Sequence, residues 1–202
     1  MYQPLAINQH TPAGVRRLIQ HLDMLLGDVH AMLRLPRQED GLTHGCNFAA
    51  ATVLLEIIGG VSSTLFQHDG RSGDRYRKLL RTYYPWAAQG CSDPASASKL
   101  LYKFFRNPLA HELGISGKKG GIGKSNGLPE DLIEKLELSP TPPLNPAIQS
   151  DASEEVLNLD VDALYWGTRI MIQNLTEDAP MMKKAEAYLR KQLNMRNSSA
   201  SC

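Results

Sequence analysis

The most apolar stretch of the chain, FAAATVLLEIIGGV, runs from Phe48 to Val61 and sets the architecture. Together with its flanks it places apolar residues along one wide helical face, which predicts a helix from about Leu42 to Phe66. A face this wide is typical of a helix covered on most sides, so we expect this helix at the centre of the core. The stretch contains Glu56 and is too short to cross a bilayer, which requires about 20 apolar residues.

Helix signals surround this central segment. From Val15 to Leu33, apolar residues recur at the helical period, with Thr11 predicted as the N-cap, Pro12 as the first helical residue and Pro36 as the stop. Further helices are predicted with these bounds: Ser72 to Tyr84; Pro94 to about Arg106, capped by Asp93; Asp160 or Val161 to about Leu175; and Ala179 to about Met195, capped by Asp178.

A segment of different character interrupts the helices at about 114–155. It is rich in glycine, then in proline, and is predicted as an inserted loop region, with a short helix or strand at Leu128–Leu138. Val156 to Asp160 alternates apolar and polar residues and predicts a short strand. The fold class expected is all-α, a bundle of five to six helices in a single domain over 1–202, with a possible short β segment and a frayed tail from about 197.

Length and composition bound the class of protein. The chain has 202 residues, of which 42% are hydrophobic and 21% charged, as in ordinary globular domains. Its three cysteines form no CxxC pair, and their odd number argues against a disulfide framework, which favours a reducing compartment. No basic start followed by an apolar run marks a signal peptide. We therefore expect a cytoplasmic protein outside the membrane.

The formal net charge of +1 is a cancellation between two blocks. From Arg71 to Lys124, eleven lysines and arginines stand against three acids; from Glu130 to Asp160, eight acids stand against one lysine. The basic block favours a polyanionic partner such as RNA. The acidic block has two interpretations that stay open, a solvated loop or a segment that folds over the basic block and masks it.

Two familiar motifs are present only in part. Gly121-Ile122-Gly123-Lys124-Ser125 ends like a phosphate-binding P-loop, but Lys118 stands where the leading glycine belongs and no strand precedes it, so we expect a basic loop. His44 and Cys46 have metal-ligand spacing but no second pair accompanies them, so no metal site is predicted. Cys46 is instead expected as a small buried residue of the central helix.

The strongest candidate site is the segment FFRNPLAHELG, from Phe104 to Gly114. Pro108 disfavours an unbroken helix, so one helix is predicted to end near Arg106 and a short one to start at Pro108, with Asn107 as its N-cap. Arg106 would then precede the cap and His111 would lie in the first turn, where two such positions make contact. A guanidinium beside an imidazole is a poor packing pair and indicates a polar site.

This segment resembles the signature of the HEPN family (higher eukaryotes and prokaryotes nucleotide-binding), which has an Arg, a polar residue and then a His at a helix start in an all-α bundle. Arg106, Asn107 and His111 match that signature. The resemblance covers this motif and the helical framework, and no motif matches in the insertion or the last helix. It implies metal-independent RNA cleavage, with two motifs brought to one cleft in a homodimer.

Within that resemblance, His111 would move the proton of a ribose hydroxyl and Arg106 would stabilise charge on the phosphate. Asn107 would fix the helix start and Glu56 would support the pair as a nearby carboxylate. The lysines expected to bind phosphate or RNA are Lys99, Lys103, Lys118, Lys119 and Lys124. No cofactor or metal is required, and the product would carry a 2′,3′-cyclic phosphate.

Two functions remain open at this stage. The first is an endoribonuclease of the HEPN type, serving as a toxin or a defence effector. The second is a non-catalytic module that binds a nucleotide or a protein partner, since the family contains members without activity. The residues by themselves do not decide whether the chain is an enzyme.

Overall fold

The computed structural model describes residues 2–35, 46–111, 120–123, 148–151 and 156–199, which are mostly helical, as predicted. Seven α-helices lie in these ranges: Ala13–Arg34 (α1), Asn47–Leu65 (α2), Ser72–Tyr83 (α3), Pro94–Leu100 (α4), Asn107–His111 (α5), Val161–Glu177 (α6) and Ala179–Ser199 (α7). A 3₁₀ turn at Ala87–Gln89 follows α3, and a π-helix, Leu101–Arg106, joins α4 to α5. The strands are Gly120–Gly123 (β1), Ile148–Asp151 (β2) and Val156–Asp160 (β3).

The central position predicted for α2 is confirmed. It packs against α1, α3, α6 and α7, and its buried side chains include Leu54, Leu55 and Ile58. Each such side chain contributes roughly 1.5–3 kcal/mol on burial. The prediction that this stretch is too short to cross a bilayer is not upheld by its length, because α2 has 19 residues and alone among the described helices is long and apolar enough to do so. Of that window, 56% is buried inside the fold.

The helix α1 buries the predicted stripe, with Val15, Leu26 and Val29 almost fully covered. Its start differs from the prediction. Pro12 has extended backbone angles (φ −56°, ψ 149°) and occupies the cap position itself, and its carbonyl accepts the first helical bond from Arg16 at 2.8 Å. Pro12 is therefore the N-cap in place of Thr11. Its missing N–H costs nothing there, because the residue before a helix needs no N–H for the helical bonds.

Three aspartates begin helices where the sequence predicts them. Asp93 accepts hydrogen bonds from the backbone N–H of Ala95 and Ser96, which starts α4. Asp160 accepts from Asp162 and Ala163 at the start of α6, at 3.0 and 3.1 Å. Asp178 accepts from Met181 at 2.9 Å at the start of α7. Such caps satisfy N–H groups that have no partner inside the helix.

A small sheet lies beside the helices, in the order β1-β3-β2. The strand predicted at Val156–Asp160 is confirmed, and it pairs parallel to β1 and antiparallel to β2. The segments Gly120–Gly123 and Ile148–Asp151 were predicted to be loop, and the structure corrects this. Glycine weakens β1 and polar residues dominate β2, so the ladders with β3 hold both segments extended. In a P-loop, the glycines before the lysine would form a loop around the phosphates, but here Gly120–Gly123 form the extended strand β1. Most of the remaining insertion, including Leu128–Leu138, lies outside the described residues.

The last helix continues further than predicted. It runs to Ser199, so residues 197–199 are helical and the expected tail from about 197 is wrong in its boundary. No glycine or proline interrupts the run from Met181 to Ser199, and most of its residues are good helix formers, so nothing local ends the helix at Met195.

Candidate functional site

The backbone around Arg106 is continuous rather than broken. Asn107 has helical angles (φ −65°, ψ −48°), and its N–H donates to the carbonyl of Tyr102, five residues earlier. The predicted N-cap at Asn107 and helix start at Pro108 are therefore wrong. The physical reason is the π-helix, since its wider turn accommodates a proline that lacks an N–H and would collide with the carbonyl four residues earlier in a regular α-helix.

The continuous helix removes the reason for expecting Arg106 and His111 to make contact. The two residues lie in one helical run, so the contact expected across a capped helix start has no basis in the backbone. His111 is the last residue of α5, and its side chain lies outside the described part of the structure. A working pair of Arg106 and His111 stays a prediction from the sequence.

Arg106 itself is well placed. Its side chain is only 18% exposed, and its Nη2 lies 3.7 Å from Oε1 of Glu56, the carboxylate that the sequence singled out as a supporting residue. Its guanidinium carbon lies 5.9 Å from the centre of the Tyr102 ring. The Nε atom is buried and has no hydrogen-bond partner among the described residues. The guanidinium therefore has at least one N–H donor that the described residues do not satisfy.

The guanidinium of Arg106 lies against α2 at Gly59. A Cβ atom at this glycine would lie 3.7 Å from both Nε and Nη2 of Arg106, so the guanidinium rests on the helix surface where side chains are small. Glu56 is one turn earlier on α2 and its side chain is 51% exposed. An ion pair this exposed contributes about 0–1 kcal/mol to the free energy of unfolding. Glu56 therefore orients the guanidinium but neutralises its positive charge only weakly.

An aromatic pair lies beneath the arginine, and sequence spacing did not reveal it. The Tyr102 ring lies 5.3 Å from the ring of Tyr76, and its hydroxyl is 3.3 Å from Oγ of Ser72. A second guanidinium, that of Arg77, also lies 5.9 Å from the Tyr102 ring centre. Arg106 lies four residues after Tyr102 on the same π-helix, whereas Arg77 belongs to α3, so only the tertiary fold brings the second arginine to this ring. Cation–π contacts of this kind add about 0.5–1 kcal/mol each.

Tyr76 is the buried floor of this cluster. Burial raises the pKa of its phenol well above the ordinary value of 10.0, while the nearby charge of Arg106 opposes that rise. Its hydroxyl has no hydrogen-bond partner among the described residues. Tyr76 is therefore neutral at physiological pH and acts as a packing platform rather than as an acid or base.

The predicted basic surface is present in part. From Arg71 to Arg106 there are eight lysines and arginines and two acids. Two of the cations are paired with carboxylates at 2.6 Å, Arg77 with Asp74 and Lys78 with Asp69. Lys99 and Lys103 are exposed one turn apart and enter no ion pair found in the described ranges. Lys118, Lys119 and Lys124 lie outside the described residues.

The other candidate ligand groups do not assemble. No three His, Cys, Asp or Glu side chains of the described ranges lie close enough together to hold a metal ion. Cys46 is half-buried at the start of α2 rather than inside its apolar face, and both it and Cys91 are free thiols. His44, its proposed neighbour, lies outside the part of the chain that is described.

The class that these observations define is a mostly helical domain with a semi-buried arginine at the end of a π-helix, next to a basic surface. No protein-family model matches the sequence, and neither a curated protein nor a solved structure resembles it closely enough to count as a match. The resemblance to the HEPN signature therefore rests on Arg106, Asn107, His111 and the helical framework alone.

Proposed function

We propose that this chain is a metal-independent endoribonuclease of the HEPN type, a cytoplasmic homodimer in which Arg106 and His111 act on RNA. The observation that supports it best is the placement of Arg106. Its guanidinium is held by Glu56 and Tyr102, retains a buried N–H without a partner in the described structure, and ends a π-helix. Short π-helical segments occur frequently at functional sites.

The chemistry proposed is an internal transfer within RNA. His111 accepts the proton of a ribose 2′-hydroxyl, whose oxygen attacks the adjacent phosphorus, and the bond from phosphorus to the 5′ oxygen breaks. The departing 5′ oxygen takes up a proton from an imidazolium, so no water, metal or cofactor enters the step. The products are a 2′,3′-cyclic phosphate and a 5′-hydroxyl end. Arg106 would bind the non-bridging oxygens on which charge increases.

The remaining residues are assigned supporting roles. Asn107, directly after Arg106, would donate its side-chain amide to the same phosphate. Lys99 and Lys103 are exposed on the outer side of α4 and the π-helix, where they would bind neighbouring phosphates of a single strand. The lysines at 118, 119 and 124 would extend this surface.

A non-catalytic module that binds a nucleotide or a protein is the second candidate, and one observation favours it. The contacts of Arg106 with Glu56, Tyr102 and the surface at Gly59 also fasten the π-helix to α2. An arginine with a purely structural role would make the same contacts. The two functions are distinguished by activity and stability measured on the same variants.

The test uses purified protein and a fluorescent single-stranded RNA in excess chelator. The proposal predicts cleavage by the parent chain and a loss of at least 100-fold in Arg106→Ala and in His111→Ala, because general acid–base and charge-stabilising groups each contribute this much. Arg106→Lys should also be impaired, since lysine keeps the charge but lacks the planar fork. Arg17→Ala, at an exposed position on α1, is the control and should retain full activity.

Melting temperatures separate the two candidates. If the parent chain cleaves RNA and both variants fold normally without cleaving it, the ribonuclease proposal stands. If the parent chain never cleaves RNA, or if Arg106→Ala and His111→Ala both cleave at the parent rate, the proposal is overturned. A loss of stability in Arg106→Ala without any cleavage by the parent chain would assign the arginine to the structural role.

A further inference from the structure

A second concave surface lies away from the Arg106 site and shares no residue with it. A groove of about 600 Å³ opens between the end of α2, the outer face of α3 and the face of α7. Its floor is apolar and aromatic, with Leu65, Phe66, Met181 and Tyr188 among the lining residues. Grooves of this size fall in the range of binding sites in proteins.

The charges around the groove are unbalanced. Both carboxylates that line it are already engaged, Asp69 with Nζ of Lys78 at 2.6 Å and Asp178 with the hydroxyl of Tyr83 at 2.6 Å. Lys184 and Lys191 also line the groove, and neither enters an ion pair found in the described ranges. Three lysines and two aspartates line the groove, so it carries a net charge of +1 beside an apolar floor.

The electrostatics agree with this arrangement. The hydrogen bond from Lys78 and the charges of Lys78 and Lys184 hold the pKa of Asp69 below its ordinary value. Hydrogen bonds from Tyr83 and Met181, with a contribution from the charge of Lys184, do the same for Asp178. Both carboxylates are ionised near neutral pH and the charge of Lys184 acts on each of them, so the lining as a whole keeps a net charge of +1.

The spacing of the lysines indicates what the groove fits. Lys184 and Lys191 are seven residues apart on α7, which is two helical turns or about 10 Å along the axis. Two carboxylates two turns apart on another helix would match them, while the apolar face of that helix covers Met181 and Tyr188.

We propose that this groove binds an acidic amphipathic helix of a partner protein. The apolar floor supplies contact area and the lysines set the register and the selection for negative charge. The site goes beyond RNA cleavage, because it requires neither Arg106 nor His111.

The test measures fluorescence anisotropy of a labelled helical peptide that has leucines on one face and glutamates two turns apart at its edge. The full chain should bind it saturably, and Lys184→Glu/Lys191→Glu should weaken binding at least tenfold. The same double variant should bind the matching peptide with lysines in place of the glutamates, which also shows that it folds. Arg17→Glu/Lys183→Glu makes an equal change in net charge outside the groove and should bind the acidic peptide as the parent does.

Three results would overturn the proposal: no saturable binding of the acidic peptide, an equal loss in the two double variants, or failure of the lysine peptide to bind the charge-reversed groove. Competition by a short RNA for the parent groove, abolished by Lys184→Glu/Lys191→Glu, would assign the surface to nucleic acid instead.

Discussion

Arg106 is held by groups of α2 and of its own π-helix, and Gly73 on α3 supports that arrangement from behind the Tyr102 ring. A Cβ atom at Gly59 on α2 would make ordinary contact with the guanidinium, whereas Gly73 on α3 leaves room for the ring of Tyr102, over which that guanidinium lies. A Cβ atom at Gly73 would lie 2.9 Å from Cε1 of Tyr102, closer than real contacts allow. The ring would have to move, and the platform beneath Arg106 would move with it.

We therefore expect Gly73→Ala to lower the free energy of unfolding by about 1–2 kcal/mol, since overpacking outweighs the better helix propensity of alanine. Gly60→Ala is the matched control, because a Cβ there meets nothing within 4 Å. That variant should be more stable by up to about 1 kcal/mol. Urea unfolding of both proteins checks the pair, and equal stabilisation by the two alanines would show that the Tyr102 contact is not as tight as described.

At the scale of elements, three helix starts are determined by residues close to them in the sequence. Asp93, Asp160 and Asp178 each accept N–H groups two or three residues further on, so each cap could be predicted from a short segment. The interior of α2 could also be predicted, because an apolar run with one acidic residue fits no exposed position.

Other features required the tertiary fold. The π-helix is set by the hydrogen bond from Asn107 to Tyr102 and by packing, whereas proline and asparagine in sequence indicate a cap. The glycines of β1 have no strand preference of their own and become a strand only beside β3. Tyr102 and Arg77 are brought together by two elements far apart in sequence, so no spacing rule could find them.

Asp178 gives a test at this scale. It caps α7 through Met181 and accepts the Tyr83 hydroxyl, which joins α7 to α3. Asp178→Ala should lower the free energy of unfolding by about 1–2 kcal/mol near neutral pH, because it removes both the helix cap and the hydrogen bond from Tyr83. Asp28→Ala, an exposed carboxylate inside α1, is the control and should change stability by less than about 0.5 kcal/mol.

The pH dependence of that variant has a definite sign. The folded-state pKa of Asp178 lies below its ordinary value of 3.8, because the fold favours the ionised form. Its contribution is therefore complete above the ordinary pKa and is lost as the pH falls through the folded-state pKa. The stability difference between the parent chain and Asp178→Ala should narrow below about pH 4 and stay constant above pH 5. A difference that widens on acidification would contradict this assignment.

For the whole molecule, the net charge of +1 is the sum of a basic stretch of the chain and an acidic stretch that follows it. The segment from α3 to the π-helix is strongly basic, and Arg106 lies at its end. Asp160, which belongs to the acidic block of the sequence, is buried and caps α6, so it does not contribute to an acidic surface. A polyanion that binds this basic segment, as the ribonuclease proposal requires, would lie along the stretch of chain that ends at Arg106.

The most direct measurement is the chemical identity of the ends produced from a defined single-stranded RNA in excess chelator, determined by mass spectrometry. We expect a 2′,3′-cyclic phosphate and a 5′-hydroxyl from the parent chain and from Arg17→Ala, and intact RNA with Arg106→Ala and His111→Ala. Products with a 3′-hydroxyl and a 5′-phosphate, or no products at all from the parent chain, would contradict the assignment of Arg106 and His111 to RNA cleavage.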